Sequence, residues 1–211
     1  EFMSTLSSPI AFIVATVFLG ISGYFFYSHV RSTSIATLRP LFDTLSFFLG
    51  FIIPFITMRT FAEERKSGTL ESLLTLPITD FQLVVSKFIG TMGFYIFLLL
   101  PTAIYTYFFY KFKAQPDVAE MVTGYFGMLL LGGVYVSFGI MCSSLTKDQI
   151  IAASVSTVGI VTINMLLIAT DYVDPRLRDV LRHMAFVTHS SEFSKGILDT
   201  RSLMYFFTVI L

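Results

Sequence analysis

The chain has 211 residues, 55% of them hydrophobic and 13% charged, with a mean hydropathy of +0.77. That usage excludes an ordinary soluble domain. The 14 bases and 14 acids cancel, which excludes the net field that gathers nucleic acid or acidic partners, and a single cysteine, Cys142, excludes an internal disulfide.

Glu1-Phe2 reads as a cloning remnant before Met3, or as the tail of a missing N-terminal helix. The first apolar run, about 9–28, is too long for a signal-peptide core and has no basic segment ahead of it, so it is expected to stay as a span. Ser8-Pro9 supplies a polar N-cap and a proline at the first helical position. The second run, about 41–60, holds Asp43 near one end and Pro54 as a bend.

The segment 61–77 then breaks the pattern. It carries Glu63, Glu64, Arg65, Lys66 and Glu71, a glycine at Gly68, and Leu70, Leu73 and Leu74 at helical spacing. A connection between two spans need only turn the chain. This one predicts a small helix at the membrane surface that something else touches.

Thr79-Asp80-Phe81-Gln82 is a capping box, with Ile78 and Leu83 placed as a hydrophobic staple, and opens the third span, about 80–110. Lys87 lies about two turns inside and is expected to snorkel to the interface, as Asp43 is expected to reach it. Pro101 bends the run. The fourth span, about 121–145, has Gly132, Gly133 and Gly139 for close helix approach. Thr146-Lys147-Asp148-Gln149 repeats the capping device with Leu145 and Ile150 as its staple. The fifth span, about 150–170, contains Asn164, a helix-to-helix hydrogen-bonding residue.

The connection 171–201 has its own helical pattern. Asp174-Pro175 starts it, and Leu177, Val180, Leu181 and Met184 form a stripe beside Arg178 and Arg182, as in an interfacial helix. A second short helix is expected from about Ser191 to a stop at Gly196. A sixth run begins near Leu203 and reaches only Leu211; nine residues rise about 13 Å, short of a span. The capped starts of spans one, three and five place Ser8, the 61–77 segment and the Thr146 turn on one side of an alternating bundle. Counting bases alone would put the other side in the cytosol, since it holds Arg31, Arg39, Lys111, Lys113, Arg176, Arg178, Arg182, Lys195 and Arg201. Five of those bases, however, are interleaved with five acids in 171–201.

No phosphate-binding Gly-x-x-x-x-Gly-Lys-Ser/Thr loop occurs, so this chain is not expected to hold nucleotide. His29, His183 and His189 form no metal-binding pair, and no Gly-x-Ser-x-Gly elbow is present. No catalytic residue, metal ligand or cofactor is expected on the chain itself.

Residues Glu63-Glu64-Arg65-Lys66-Ser67-Gly68-Thr69-Leu70-Glu71-Ser72-Leu73-Leu74-Thr75-Leu76-Pro77 resemble the coupling segment of ABC-2 type permeases, the membrane subunits of one class of ATP-driven transporters. Ser8-Pro9-Ile10-Ala11, Lys87-Phe88-Ile89-Gly90, Ser143-Ser144-Leu145-Thr146 and Gly196-Ile197-Leu198-Asp199-Thr200-Arg201 extend the likeness over nearly the whole chain. The chain looks most similar to the gliding-motility branch, with the copper-related nitrous-oxide accessory permeases as neighbours.

The resemblance implies an all-α, single transmembrane domain over 1–211. Its six-span bundle lies in a bacterial cytoplasmic membrane, with 61–77 cytosolic and 171–201 extracytoplasmic, against the count of bases. It implies a separate ATPase subunit that carries ATP and Mg, and a second permease copy or paralogue in a dimer. Glu63, Glu64, Gly68, Thr69, Glu71, Leu73 and Leu74 are the residues expected to dock the ATPase. The function implied is to couple hydrolysis on that partner to substrate export or mechanical work; the substrate-binding residues are not indicated. A secondary transporter or channel is the alternative, and would show several buried ionisable residues along a midplane path or broken helices in repeated halves. A membrane scaffold would need no pathway.

Overall fold

The computed structural model describes residues 9–33, 37–74, 79–111, 117–169, 185–197 and 199–210. Among them every element is helical. In chain order these are α1 (Pro9–Thr33), α2 (Arg39–Thr57), α3 (Arg59–Ser67), α4 (Thr69–Leu74), α5 (Asp80–Leu99), a 3₁₀ turn (Leu100–Ala103), α6 (Ile104–Lys111), α7 (Val118–Leu145), α8 (Gln149–Ala169), α9 (Phe186–Phe193) and α10 (Thr200–Ile210). Among the described residues five helical segments are long and apolar enough to cross a membrane: Ile10–Ser32, Arg39–Ser67, Asp80–Lys111, Val118–Leu145 and Gln149–Leu166.

The central post is α7, which touches α2, α3, α5, α8, α9 and α10. Residues Leu131 to Val136 are buried all round the helix. A helix apolar on every face is what a bundle interior requires, and small residues let its neighbours come close. A Cβ on Gly132 would lie 2.0 Å from the Tyr95 ring, and one on Gly139 would lie 2.2 Å from Thr57 Oγ1. Tyr95 cannot swing clear at no cost, because its hydroxyl donates to the Met128 carbonyl at 2.8 Å. Asn164 Nδ2 donates to Tyr135 Oη at 2.7 Å and so ties α8 to α7, the interhelical bond its position in the fifth apolar run predicts.

Several boundaries differ from the sequence reading. The capping box at Thr79 is present, with Gln82 N donating to Thr79 Oγ1 at 3.3 Å and Thr79 N donating to Gln82 Oε1 at 3.1 Å. At the fifth span the cap is Asp148, not Thr146. Its Oδ1 accepts from Ile150 N at 2.8 Å and Ile151 N at 3.4 Å, and Thr146 Oγ1 only braces Asp148 N at 3.1 Å. A carboxylate answers the positive helix end better than a hydroxyl. The fourth span starts at Val118, capped by Asp117 Oδ1 accepting from Ala119 N at 2.9 Å. The bend at Pro101 is a 3₁₀ turn that separates α5 from α6, because proline has no N–H for the α-helical ladder. The short helix expected from Ser191 to Gly196 is α9, Phe186–Phe193, and Gly196, in left-handed backbone at φ 82°, lies in the turn that follows it. Ser8, Ile78 and the stripe Leu177, Val180, Leu181 and Met184 lie outside the described residues.

Overpacking at the post gives a direct check. Gly132→Val is expected to lower stability by about 1–3 kcal/mol, read as a lower melting temperature in detergent. Gly20→Val, where an added Cβ meets nothing within 4 Å, should move it by no more than about 0.5 kcal/mol.

Candidate functional site

The 61–77 segment begins inside the bundle. Pro54 stands within α2, and the ladder runs on to Met58, whose N–H donates to the Pro54 carbonyl at 2.9 Å. There α2 gives way to α3, and the first N–H groups of α3 need acceptors. Ser143 of α7 supplies one. Its Oγ accepts from Phe61 N and Ala62 N, each at 3.1 Å, and donates to the Met58 carbonyl at 3.0 Å. Ser143 is fully buried, so one hydroxyl from a neighbouring helix acts as the cap that the chain lacks locally.

From that anchor α3 runs outward. Phe61 and Ala62 are buried, while Glu63, Arg65, Lys66 and Ser67 are exposed. Glu63 lies 3.8 Å from Arg59 across one turn, a surface pair contributing at most about 0.5 kcal/mol. Glu64 faces inward instead. Its Oε1 is 2.5 Å from Lys87 Nζ, and the ammonium also sits 5.3 Å from the centre of the Phe61 ring. Lys87 is 1% exposed, so it does not snorkel; the Glu64 carboxylate and the Phe61 ring face hold it inside. Glu64 Oε2 is buried with no hydrogen-bond partner among the described residues. Removing one member of such a pair strands the other's charge, at about 3–5 kcal/mol.

α3 stops at Gly68, whose φ of 76° is left-handed backbone that suits glycine. The hydroxyls of Ser67 and Thr69 both reach back to the Glu64 carbonyl, at 3.2 and 3.4 Å. The chain then turns into α4, so the segment is two short helices with a glycine hinge, not one docking helix. Glu71 lies exposed in the first turn of α4, where negative charge is favoured. Leu70 packs against the core and Leu73 is half-buried; the side chain of Leu74 lies outside the described residues. Of the residues expected to dock a partner, Glu63, Gly68, Thr69 and Glu71 are therefore exposed together at the outer end of α3 and α4, and Glu64 is turned to α5. A groove of about 1090 Å³ runs between this segment and α5 and α7, walled by Phe61, Leu70, Phe88 and Phe138 with Arg65 and Asp80.

Two features escaped the sequence reading. Ser143 carries no local sign of its role, since its partners stand more than 80 residues away. Lys87 was visible as a charge in an apolar run, but its partner was not.

A second polar group ties α9 to α10. His189 Nδ1 lies 2.9 Å from Ser202 Oγ, which donates to Glu192 Oε2 at 2.5 Å, and Tyr205 stacks on the imidazole at 4.3 Å. Asp43, half-buried, accepts from Ser194 Oγ at 3.2 Å and so braces the C-terminal end of α9. Among the described residues no three His, Cys, Asp or Glu side chains gather as a metal site.

The family model described as ABC-2 family transporter protein matches residues 5–187. Two curated relatives, the probable multidrug ABC transporter permeases YbhR of Escherichia coli K12 and of Escherichia coli O157:H7, are each 30% identical over 97 residues. The aligned stretch is 44% of this chain and 25% of each relative, so the match spans about a quarter of the relatives' length.

Ser143→Ala would strand three backbone groups in the apolar interior. With about 1–3 kcal/mol for each stranded group, the variant should lose at least about 2 kcal/mol by thermal denaturation in detergent. Amide exchange at Phe61 and Ala62 should quicken; unchanged protection there would refute the capping role.

Proposed function

We propose a function that starts from the family, because this chain belongs to the ABC-2 family of transporter proteins. It is a permease-type membrane subunit, not itself a catalyst. The reading we add is that it couples ATP hydrolysis on a separate ATPase chain, which holds ATP and Mg, to substrate export or mechanical work across a bacterial cytoplasmic membrane. Two permease copies or paralogues form the membrane part in this reading, α10 begins a sixth span, and the chain is of the gliding-motility type.

One observation carries the proposal. The α3–Gly68–α4 unit presents Glu63, Gly68, Thr69 and Glu71 outward, while its inner side is fixed to α7 through Ser143 and to α5 through Lys87. A surface used only to turn the chain needs no such anchoring. An ATPase that grips the outer side can therefore pull on two spans at once. In the coupling reading Leu73 and Leu74 supply the apolar contact and Glu63 and Glu71 the charged rim, as when an amphipathic helix docks in a groove. Glu64 belongs to the transmission rather than to the contact.

Two outcomes are expected. A cysteine at Ser67, in a Cys142→Ala background, should resist an impermeant thiol reagent added to intact cells and react after lysis; strong labelling from outside would reverse the orientation. Leu74→Asp should abolish co-purification of the ATPase while the permease still inserts, since losing a buried apolar anchor costs about 2 kcal/mol or more. Lys111→Glu, at the far end of α6, should leave the complex intact. A Leu74→Asp chain that still binds and stimulates the ATPase would refute the docking role.

A further inference from the structure

A lysine buried in a membrane span is costly unless it has a task, and neither the family nor the docking surface assigns one to Lys87. Three facts restrict what it does. It stands on α5, two turns in from the capping box at Thr79, and is 1% exposed. The carboxylate 2.5 Å from it belongs to α3, a different element 23 residues earlier. That carboxylate has no second tether, since Glu64 Oε2 is buried without a hydrogen-bond partner among the described residues.

The neighbours of the pair give it a direction. The inner end of α3 is held by Ser143 on α7, and the outer end stops at Gly68 and bears α4. Glu64 lies between those ends, at the position that travels when α4 is displaced about the Ser143 anchor. Phe61, under the ammonium at 5.3 Å, sits beside the anchor and moves little. A displacement of α4 is thus resisted by the packing of Leu70 on the core and by the ion pair, and what the pair pulls on is α5. The groove walled by Phe61, Leu70 and Phe88 lies along the same boundary, so bulk apolar packing does not fill it.

We propose that Glu64 and Lys87 are positioning residues that carry movement of the α3–α4 unit into α5, making the third span the first to respond when a partner grips the segment. The inference rests on the coupling reading above. The pair is formed in the arrangement described here and transmits because parting two desolvated charges is disfavoured, so α5 follows α3 instead of releasing it. A hydrophobic contact at the same place would slide.

The test uses the whole chain with spin labels at Lys66→Cys on α3 and Ile89→Cys on α5, both exposed, in a Cys142→Ala background. The distance distribution should be narrow in the parent, broad in Glu64→Gln and in Lys87→Met, and narrow again in the exchanged pair Glu64→Lys with Lys87→Glu. In the complex with the ATPase that co-purifies with the parent chain, each single variant should keep the ATPase bound. Its stimulation by the permease should fall about tenfold, within the usual range of coupling between sites. The exchanged pair and Lys87→Arg should restore it; a contact needed for packing alone would not be rescued by reversing both charges. Single variants that retain both the narrow distribution and full stimulation overturn the proposal, as does an exchanged pair that restores neither. A parent chain that binds no ATPase refutes the coupling reading instead, and the label distances still decide whether the pair links α3 to α5.

Discussion

In an apolar medium every backbone polar group has to find its partner within the protein, and the structure turns on how this is met at Met58. There α2 ends and α3 begins, inside the bundle, with Phe61 and Ala62 buried. Without Ser143 the break would leave two donors and an acceptor stranded. With it, a single hydroxyl serves all three at 3.0–3.1 Å. The break is therefore a fixed joint. It sets the line along which α3 leaves the bundle, and that line brings Glu64 to Lys87 and carries Gly68 and α4 outward.

The joint works only because α7 comes close enough to reach it. Gly139 stands one turn before Ser143, and Thr57 of α2 occupies the space where a side chain there would be. At the midpoint of the post Gly132 admits the Tyr95 ring in the same way, with the hydroxyl held on the Met128 carbonyl. Close approach by small residues is what drives association of helices where no hydrophobic force separates them from lipid. The same approach that holds α2 and α5 to α7 puts the serine within hydrogen-bonding range of a helix that needs it.

Apolar length was legible in the sequence, and so was the Thr79 box, because span length and local capping are written in neighbouring residues. Asp148 over Thr146 was misjudged since both are good caps and only the geometry decides which reaches the free amides. The start of α9 at Phe186 was missed because buried Phe186, His189, Ser190 and Phe193 are chosen by packing on α7 and α2, not by a cap; Ala185 offers no side-chain bond. The division of 61–77 into two helices hung on Gly68, which the sequence marked as a glycine without saying that its φ would be positive. Lys87 shows the general reason for these misses: a lone charge reads as a snorkelling one until the fold brings a carboxylate from 23 residues away.

The two ends of the bundle are held in different ways, and the difference has a mechanical meaning. Around α9 and α10 the ties are hydroxyl bonds, Ser202 between His189 and Glu192 and Ser194 on Asp43, with Tyr205 stacked over the imidazole. Hydroxyl bonds that end on a carboxylate contribute about 1.5–3 kcal/mol each, and a cluster of them can exchange partners as helices slide. At the α3 end one serine joint and one ion pair with a buried lysine concentrate the connection, and removing one partner of such a pair strands the other's charge at about 3–5 kcal/mol. Under the proposed coupling, a load applied at α4 would meet the serine joint and the ion pair first and the α9–α10 hydroxyl cluster last. Moving a two-state equilibrium from mostly one form to mostly the other needs about 5.5 kcal/mol of differential interaction, so under that coupling the gripped and free states would have to differ by that much in the contacts among the spans. A firm link near the applied load and exchangeable bonds at the far end would, in that coupling, let displacement at α4 emerge as rearrangement around α9 and α10 instead of being absorbed where it enters.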